Sequence, residues 1–320
     1  MKPPNMQYTY MDENIPIEES ASEDKKDSKF KKSGNPRQKE VTHEKKVEKF
    51  FSHGSRLRAS QENGFLSFGY WTKNRQNYYE AAEDLLTLLL SNEKSSNRGI
   101  ILDVACGYGS ETFVIYEKLK PDKIIAIDIT SAHIEYAQKK AIGRNLADKI
   151  FFEKRDACML PYQSKFFSYV IGIEGPSQFN TREHFLKRAF DVLEPNGILL
   201  LADVIIHKSI ARKNWINRKI GNILSKQWYI PEPNWMNFDK YNQTLIDIGY
   251  KVDFIKGIGA NVYKGFAKFN TKWSSIKNAI RIRGFRIGLG LTIISWLLGV
   301  AFTRGILDYA YIRAVKKIHT

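Results

Sequence analysis

The stretch Leu102-Asp103-Val104-Ala105-Cys106-Gly107-Tyr108-Gly109-Ser110 decides the fold of this chain. It closes the apolar run Ile100–Val104 with an acid and two glycines, then enters a segment, about 110–119, that reads as a helix. Gly107 and Gly109 let backbone approach a ligand where a β-carbon would clash. This is not the three-glycine dinucleotide fingerprint, because Thr112 stands where the third glycine belongs, and no Gly-Lys-Ser/Thr follows to make a phosphate loop. Asp103 ahead of the glycines disfavours a pyrophosphate and suits a cationic ligand.

The same grammar repeats outward. Strand Ile124–Ile127 ends in Asp128, strand Ile150–Lys154 leads to Asp156, strand Ser168–Ile173 leads to Glu174, and strand Ile198–Leu201 leads to Asp203. Helical segments at about 75–90, Ser131–Ala141 and Arg182–Leu193 alternate with them. This alternation predicts an α/β fold: a doubly wound, Rossmann-like, mostly parallel seven-stranded sheet with its ligand at the carboxyl ends of the strands. Asp128, 25 residues after Asp103, is placed to accept both hydroxyls of a ribose.

Composition sets the frame. With 320 residues and 43% hydrophobic content, the chain can bury a large core. Two cysteines, Cys106 and Cys158, exclude a disulfide scaffold and point to a reducing compartment, and no zinc-ligand spacing occurs. The net charge of +16 lies almost wholly beyond residue 203, where 117 residues carry +15. Residues 1–45 are charged and lack a periodic apolar face, so they read as a disordered tail, with neither a signal peptide nor a transit peptide.

Several motifs in chain order carry a family resemblance. Residues 64–269 resemble a class I S-adenosylmethionine-dependent methyltransferase, of the branch acting on small molecules, sterols, tocopherols and quinone precursors. Leu102–Gly109 resembles its glycine motif, and Phe68-Gly69-Tyr70-Trp71 resembles the segment that closes over the cofactor. Phe167-Ser168-Tyr169-Val170 to Glu174 resembles its fourth-strand motif, and Val192–Gly197 its following turn. The resemblance implies S-adenosylmethionine as cofactor. Asp103, Ala105, Gly107 and Gly109 would hold the methionine moiety, Asp128 the ribose, and Ile129 with Asp156-Ala157 the adenine. Tyr70, Trp71 and Glu174 would complete the site.

The acceptor side is less standard. Gln178 occupies the place of a family histidine, and it can orient a hydroxyl but cannot take its proton. Asp203 is the remaining rim carboxylate and is expected to hold or deprotonate the acceptor, or else to serve as a loop acid. His207 is an alternative base, or a solvated loop residue. Cys106 and Cys158 read as packing residues.

The sequence thus divides into the tail 1–45, a methyltransferase domain over 46–270 with a substrate-covering insertion at 205–238, and a basic helical tail over 271–320. In that tail Ile287–Phe302 is sixteen residues without a charge, flanked by Arg281, Arg283, Arg286 and Arg304. As a helix it is about 24 Å long, short of a roughly 30 Å hydrocarbon core. It is expected to dock on or enter a membrane shallowly, the alternative being a helical pair packed on the domain or on a second copy in a homodimer. The expectation is a cytoplasmic, membrane-associated enzyme that methylates a lipophilic small molecule such as an isoprenoid, sterol, quinone or lipid. An RNA methyltransferase and a non-catalytic S-adenosylmethionine-binding protein are the competing readings. The uncharged run argues against a nucleic-acid partner, and no metal is expected.

Overall fold

The computed structural model describes residues 41–52, 64–73, 77–93 and 99–317. Seven strands form one sheet: β1 (Ile100–Val104), β2 (Lys123–Asp128), β3 (Ile150–Lys154), β4 (Phe167–Ile173), β5 (Leu193–Ile206), β6 (Tyr250–Gly257) and β7 (Leu307–Lys316). Their order is β3-β2-β1-β4-β5-β7-β6. The strands β1 to β5 run parallel, and β7 pairs antiparallel with both β5 and β6. Strand order reverses between β1 and β4, which opens a crevice at their carboxyl ends.

Side chains alternate between two cores. Ile101, Ala126, Ile171 and Leu200 join one face, and Leu102, Ile125, Val170 and Leu199 the other. The first face is covered by α2 (Tyr78–Leu89), α3 (Ser110–Leu119) and α4 (Ser131–Gly143). The second is covered by α5 (Arg182–Val192), which precedes β5, and by α8 (Phe238–Ile248), which precedes β6. Side-chain caps fix several starts: Asn77, Thr181 and Asn237 each accept the N–H of the residue three positions on.

The insertion after β5 contains α6 (Lys208–Ala211), α7 (Trp215–Trp228) and a 3₁₀ turn at Glu232–Asn234. Between β6 and β7 lie α9 (Gly259–Asn270), α10 (Trp273–Arg283) and α11 (Phe285–Thr303). A tight hairpin joins α10 to α11: a β-carbon on Gly288 would lie 2.6 Å from the backbone nitrogen of Ile280.

Two boundaries differ from the sequence reading. The domain does not end at 270, because β7 at 307–316 sits inside the sheet between β5 and β6. Leu307, Tyr309 and Tyr311 face one core while Ala310, Ile312 and Ala314 face the other, a strand alternation overshadowed by the apolar run before it. Arg313 Nε lies 2.7 Å from Glu93, and the Lys316 ammonium donates to the carbonyls of Phe190 (2.6 Å) and Leu193 (2.8 Å) at the end of α5. The helical part of the tail, 273–303, is therefore an insertion between two sheet strands. At the other end, α1 (His43–Phe51) starts inside the expected tail, with Thr42 capping it. The expectation of disorder over 1–40 lies outside the described residues.

Candidate active site

The carboxyl ends of β1, β2 and β4 surround a cavity of about 1030 Å3, including its open mouth. Its floor is the glycine turn. Ala105 (φ 57°), Gly107 (φ 53°) and Gly109 (φ 75°) take left-handed conformations, which swing the chain from β1 into α3. A β-carbon on Gly107 would lie 2.9 Å from Leu66 Cδ1, and one on Gly175 would lie 2.5 Å from Ala105 Cβ. The two loops therefore need the space that only glycine leaves.

Asp128, at the end of β2, accepts the N–H of Gly107 on Oδ2 (3.0 Å) and that of Thr130 on Oδ1 (2.7 Å), and His133 Nδ1 lies 3.3 Å from Oδ1. Burial would raise its pKa, but the imidazole and the two N–H groups outweigh burial and hold it below the usual range. Asp128 thus stays an acceptor. Thr130 Oγ1, on the same wall, is buried without a hydrogen-bond partner.

Three more carboxyl groups meet at the other end. Burial pushes Asp103 up to about 7, against a 2.6 Å hydrogen bond from Thr112. Burial pushes Glu111 up to about 8. Glu174 also rises to about 8 through burial, although its Oε1 accepts from the Phe68 N–H (2.6 Å) and the Tyr309 hydroxyl (2.9 Å). Glu174 has φ 61°, a left-handed backbone that aims it into the crevice. A cationic ligand would let all three ionise, and an anion would be repelled. The residues present therefore fit an ammonium and a sulfonium at one end and a ribose at the other.

Most of the expected site residues converge here: Asp103, Ala105, Gly107, Asp128, Ile129, Asp156, Ala157, Glu174 and Gln178 all line the cavity. Asp156 also accepts the Cys158 N–H at 2.8 Å, which fixes the loop after β3. Gly109 shapes the turn from behind, where its β-carbon would lie 2.7 Å from the Phe152 ring. Tyr70 and Trp71 do not reach the wall. The Trp71 indole N–H donates to the Phe68 carbonyl (2.9 Å) and its ring lies 4.9 Å from that of Phe269 on α9, so Leu66 and Ser67 close the cavity instead.

Asp203 is corrected more sharply. Pairing with β7 extends β5 to Ile206, so Asp203 sits within the strand and not on its rim. It is fully buried, 2.8 Å from Arg182 Nε and 2.9 Å from the Tyr241 hydroxyl. It does not line the cavity, and its charge is spent on the equally buried Arg182. His207 is also outside it, with its ring 5.6 Å from that of Phe238, and burial lowers its pKa. Both cysteines are free and buried, as packing residues would be.

Three contributors went unread. Glu111 announces itself only as an acid in the first turn after the glycine loop. Thr130 looks like an ordinary helix-start residue. The helix α1 brings His43, Glu44, Val47 and Phe51 over the cavity from a segment whose composition carries no site signal.

Residues 95–237 match a family model described as a methyltransferase domain. The erythromycin 3''-O-methyltransferase of Saccharopolyspora erythraea is 28% identical over 209 residues, covering 64% of this chain and 67% of that one. The 27-O-demethylrifamycin SV methyltransferase of Amycolatopsis mediterranei is 29% identical over 146 residues, covering 46% and 53%. The fold is shared with the cyclopropane synthase MmaA2 of Mycobacterium tuberculosis (TM-score 0.71, 12% identity, 87% of this chain and 100% of that one). It is shared as well with the geranyl diphosphate C-methyltransferase of Streptomyces coelicolor, solved with S-adenosyl-L-homocysteine (TM-score 0.68, 9% identity, 87% and 98%). With the acid-lined crevice and the ribose-side carboxylate already in place, these likenesses show a methyltransferase domain over residues 95–237, in a chain that is similar to class I S-adenosylmethionine-dependent methyltransferases of the branch that acts on small molecules.

Proposed function

We propose that this enzyme methylates a hydroxyl-bearing lipophilic acceptor of isoprenoid, sterol, quinone or lipid type, working on the cytoplasmic surface of a membrane. The carrying observation is the outer face of α11. Phe285, Leu289, Ile293 and Trp296 are exposed there, and no charge interrupts the helix from Ile287 to Thr303. A soluble surface helix places charge on that face, and a contiguous apolar patch calls for a lipid or protein partner. Trp273 on α10 is 68% exposed, beside Lys272, Lys277 and Arg281, a basic rim suited to anionic headgroups.

The relatives named for macrolide and rifamycin O-methylation support a bulky acceptor. S-adenosylmethionine supplies an electrophilic methyl group on a sulfonium. The chain's own part is largely positioning. Asp128 and Asp156 orient the nucleoside end, the acid cluster holds the cationic end, and α1 with Leu66 and Ser67 keeps water out.

Incubating the enzyme with methyl-tritiated S-adenosylmethionine and a membrane lipid extract should transfer label into the organic phase, and mass spectrometry should identify the product. Label appearing only in water-soluble acceptors would refute the lipophilic reading.

A further inference from the structure

Gln178 lines the cavity but its amide cannot take a proton from an acceptor hydroxyl. Among the described residues the histidines are His43, His133, His184 and His207. His133 is buried against Asp128, His184 is exposed in the first turn of α5, and His207 packs on Phe238 away from the cavity. His43 is different. As the first residue of α1 it lines the cavity, and its Nε2 lies 2.7 Å from the backbone carbonyl oxygen of Gln178 itself. A carbonyl oxygen only accepts, so Nε2 carries the hydrogen and the lone pair is on Nδ1.

We propose that His43 is the general base of methyl transfer, delivered by helix α1 to the edge of the cavity that Gln178 lines. Gln178 retains a part in it: its carbonyl fixes the tautomer, as a carboxylate does in other catalytic histidines. The helix is anchored well enough to hold the ring. Glu48 pairs with Lys154 (2.7 Å) and accepts from Ser131 (3.3 Å), Asn180 donates to Glu44 (3.3 Å), and Val47 is buried. Glu174 is the competing base on the wall, but its Oε1 is already occupied by Phe68 and Tyr309, and it belongs with Asp103 and Glu111 to the cluster that meets the cation. In the step itself the acceptor O–H gives its proton to His43 Nδ1, the oxygen bonds to the methyl carbon, and the carbon–sulfur electron pair stays on sulfur.

The proposal rests on the acceptor being a hydroxylated lipophile, so its test has one arm that needs no acceptor. Full-length protein saturated with S-adenosylhomocysteine is treated with diethyl pyrocarbonate, and the modified histidines are mapped by peptide mass. A base that must meet an acceptor has to keep Nδ1 reachable, so His43 should be modified while His133 is spared. An unmodified His43 overturns the proposal whatever the acceptor. The second arm uses a panel of isoprenoid phenols and quinols with labelled S-adenosylmethionine. His43→Gln retains an N–H donor for the Gln178 carbonyl, so the Kd for S-adenosylmethionine should stay within about twofold while kcat falls about 100-fold or more. The remaining rate should climb with pH until the acceptor ionises unaided, whereas that of the native enzyme levels off first. The groups facing this cavity, unchanged by the substitution, are Glu44, Asp128 and His133, Arg155 and Asp156, and the three acids of the cluster. A native kcat in His43→Gln also overturns the proposal. If no panel member is methylated, the lipophilic reading fails and the labelling result alone decides the base.

Discussion

At the scale of single residues, the acids decide the ligand. Asp103, Glu111 and Glu174 are held near 7, 8 and 8 by burial, well above the roughly 4 of a carboxyl group in an unfolded chain. The folded protein therefore holds protons that the unfolded chain would release. The stability contributed by keeping these acids neutral is complete below about pH 4 and is lost as pH rises through 7 and 8. The protein alone should melt at progressively lower temperature from pH 6 to 8.5, and a sample saturated with S-adenosylmethionine should hold its melting point. Calorimetry should show the Kd tightening about tenfold between pH 6 and 8, with proton release detected by comparing buffers of different ionisation enthalpy. A pH-independent Kd would mean that the acids do not meet the cation. Asp203 has a structural part, paired with Arg182 inside the fold. Asp203→Asn leaves the Arg182 guanidinium buried and uncompensated, so urea unfolding should show a loss of about 3–5 kcal/mol. A lost methyl transfer at unchanged stability would return Asp203 to the acceptor site. The sequence put Asp103, Asp128 and Asp156 at or just beyond the carboxyl ends of apolar runs, and there they line the cavity. It misplaced Asp203 because the true end of β5 is set by a partner strand more than 100 residues away.

Among the elements, strand ends were legible and covers were not. Strands β1 to β4 announce themselves by apolar runs and punctuation, whereas α1 has a single buried side chain, Val47, among charged residues. No local pattern says that such a helix lies over a ligand, since its place is set by contacts such as Glu48 to Lys154 across 106 residues. Burying one valine is worth about 1.5–3 kcal/mol, a large share of what can hold a nine-residue helix in place. Val47→Asp should therefore release α1 and weaken S-adenosylmethionine binding about tenfold or more through a faster off-rate, measured by stopped-flow fluorescence. The thermal unfolding of the sheet should hardly move, because Val47 belongs to neither of its two cores. If affinity survives intact, α1 is an ornament on the cavity and not its wall.

On the scale of the whole molecule, the charge map and the apolar helix make sense only together with β7. The helix α11 has 19 residues, is apolar enough by composition to cross a membrane, and is only 22% buried over its apolar window. Its carboxyl end, however, leads within four residues into β7, and its amino end turns at Gly284 into α10, which packs back along it. Leu298 and Ala301 are buried in the main core. A helix tied to the sheet in this way suits an interfacial position, with its outer face in the lipid and its inner face on the enzyme. Deleting residues 271–320 cannot test this, since it would remove a strand from the middle of the sheet. Charges placed on the outer face can. The full-length protein should float with vesicles containing phosphatidylglycerol and much less with pure phosphatidylcholine, because each basic residue near an anionic surface contributes about 1 kcal/mol. Raising salt should release it, and the double substitution Ile293→Lys with Trp296→Lys should release it at low salt without lowering the melting temperature, since both side chains are 57% exposed. If the protein ignores vesicles and instead sediments as a dimer that the same substitutions dissociate, the uncharged face is covered by a second copy, and the acceptor must reach the cavity from water.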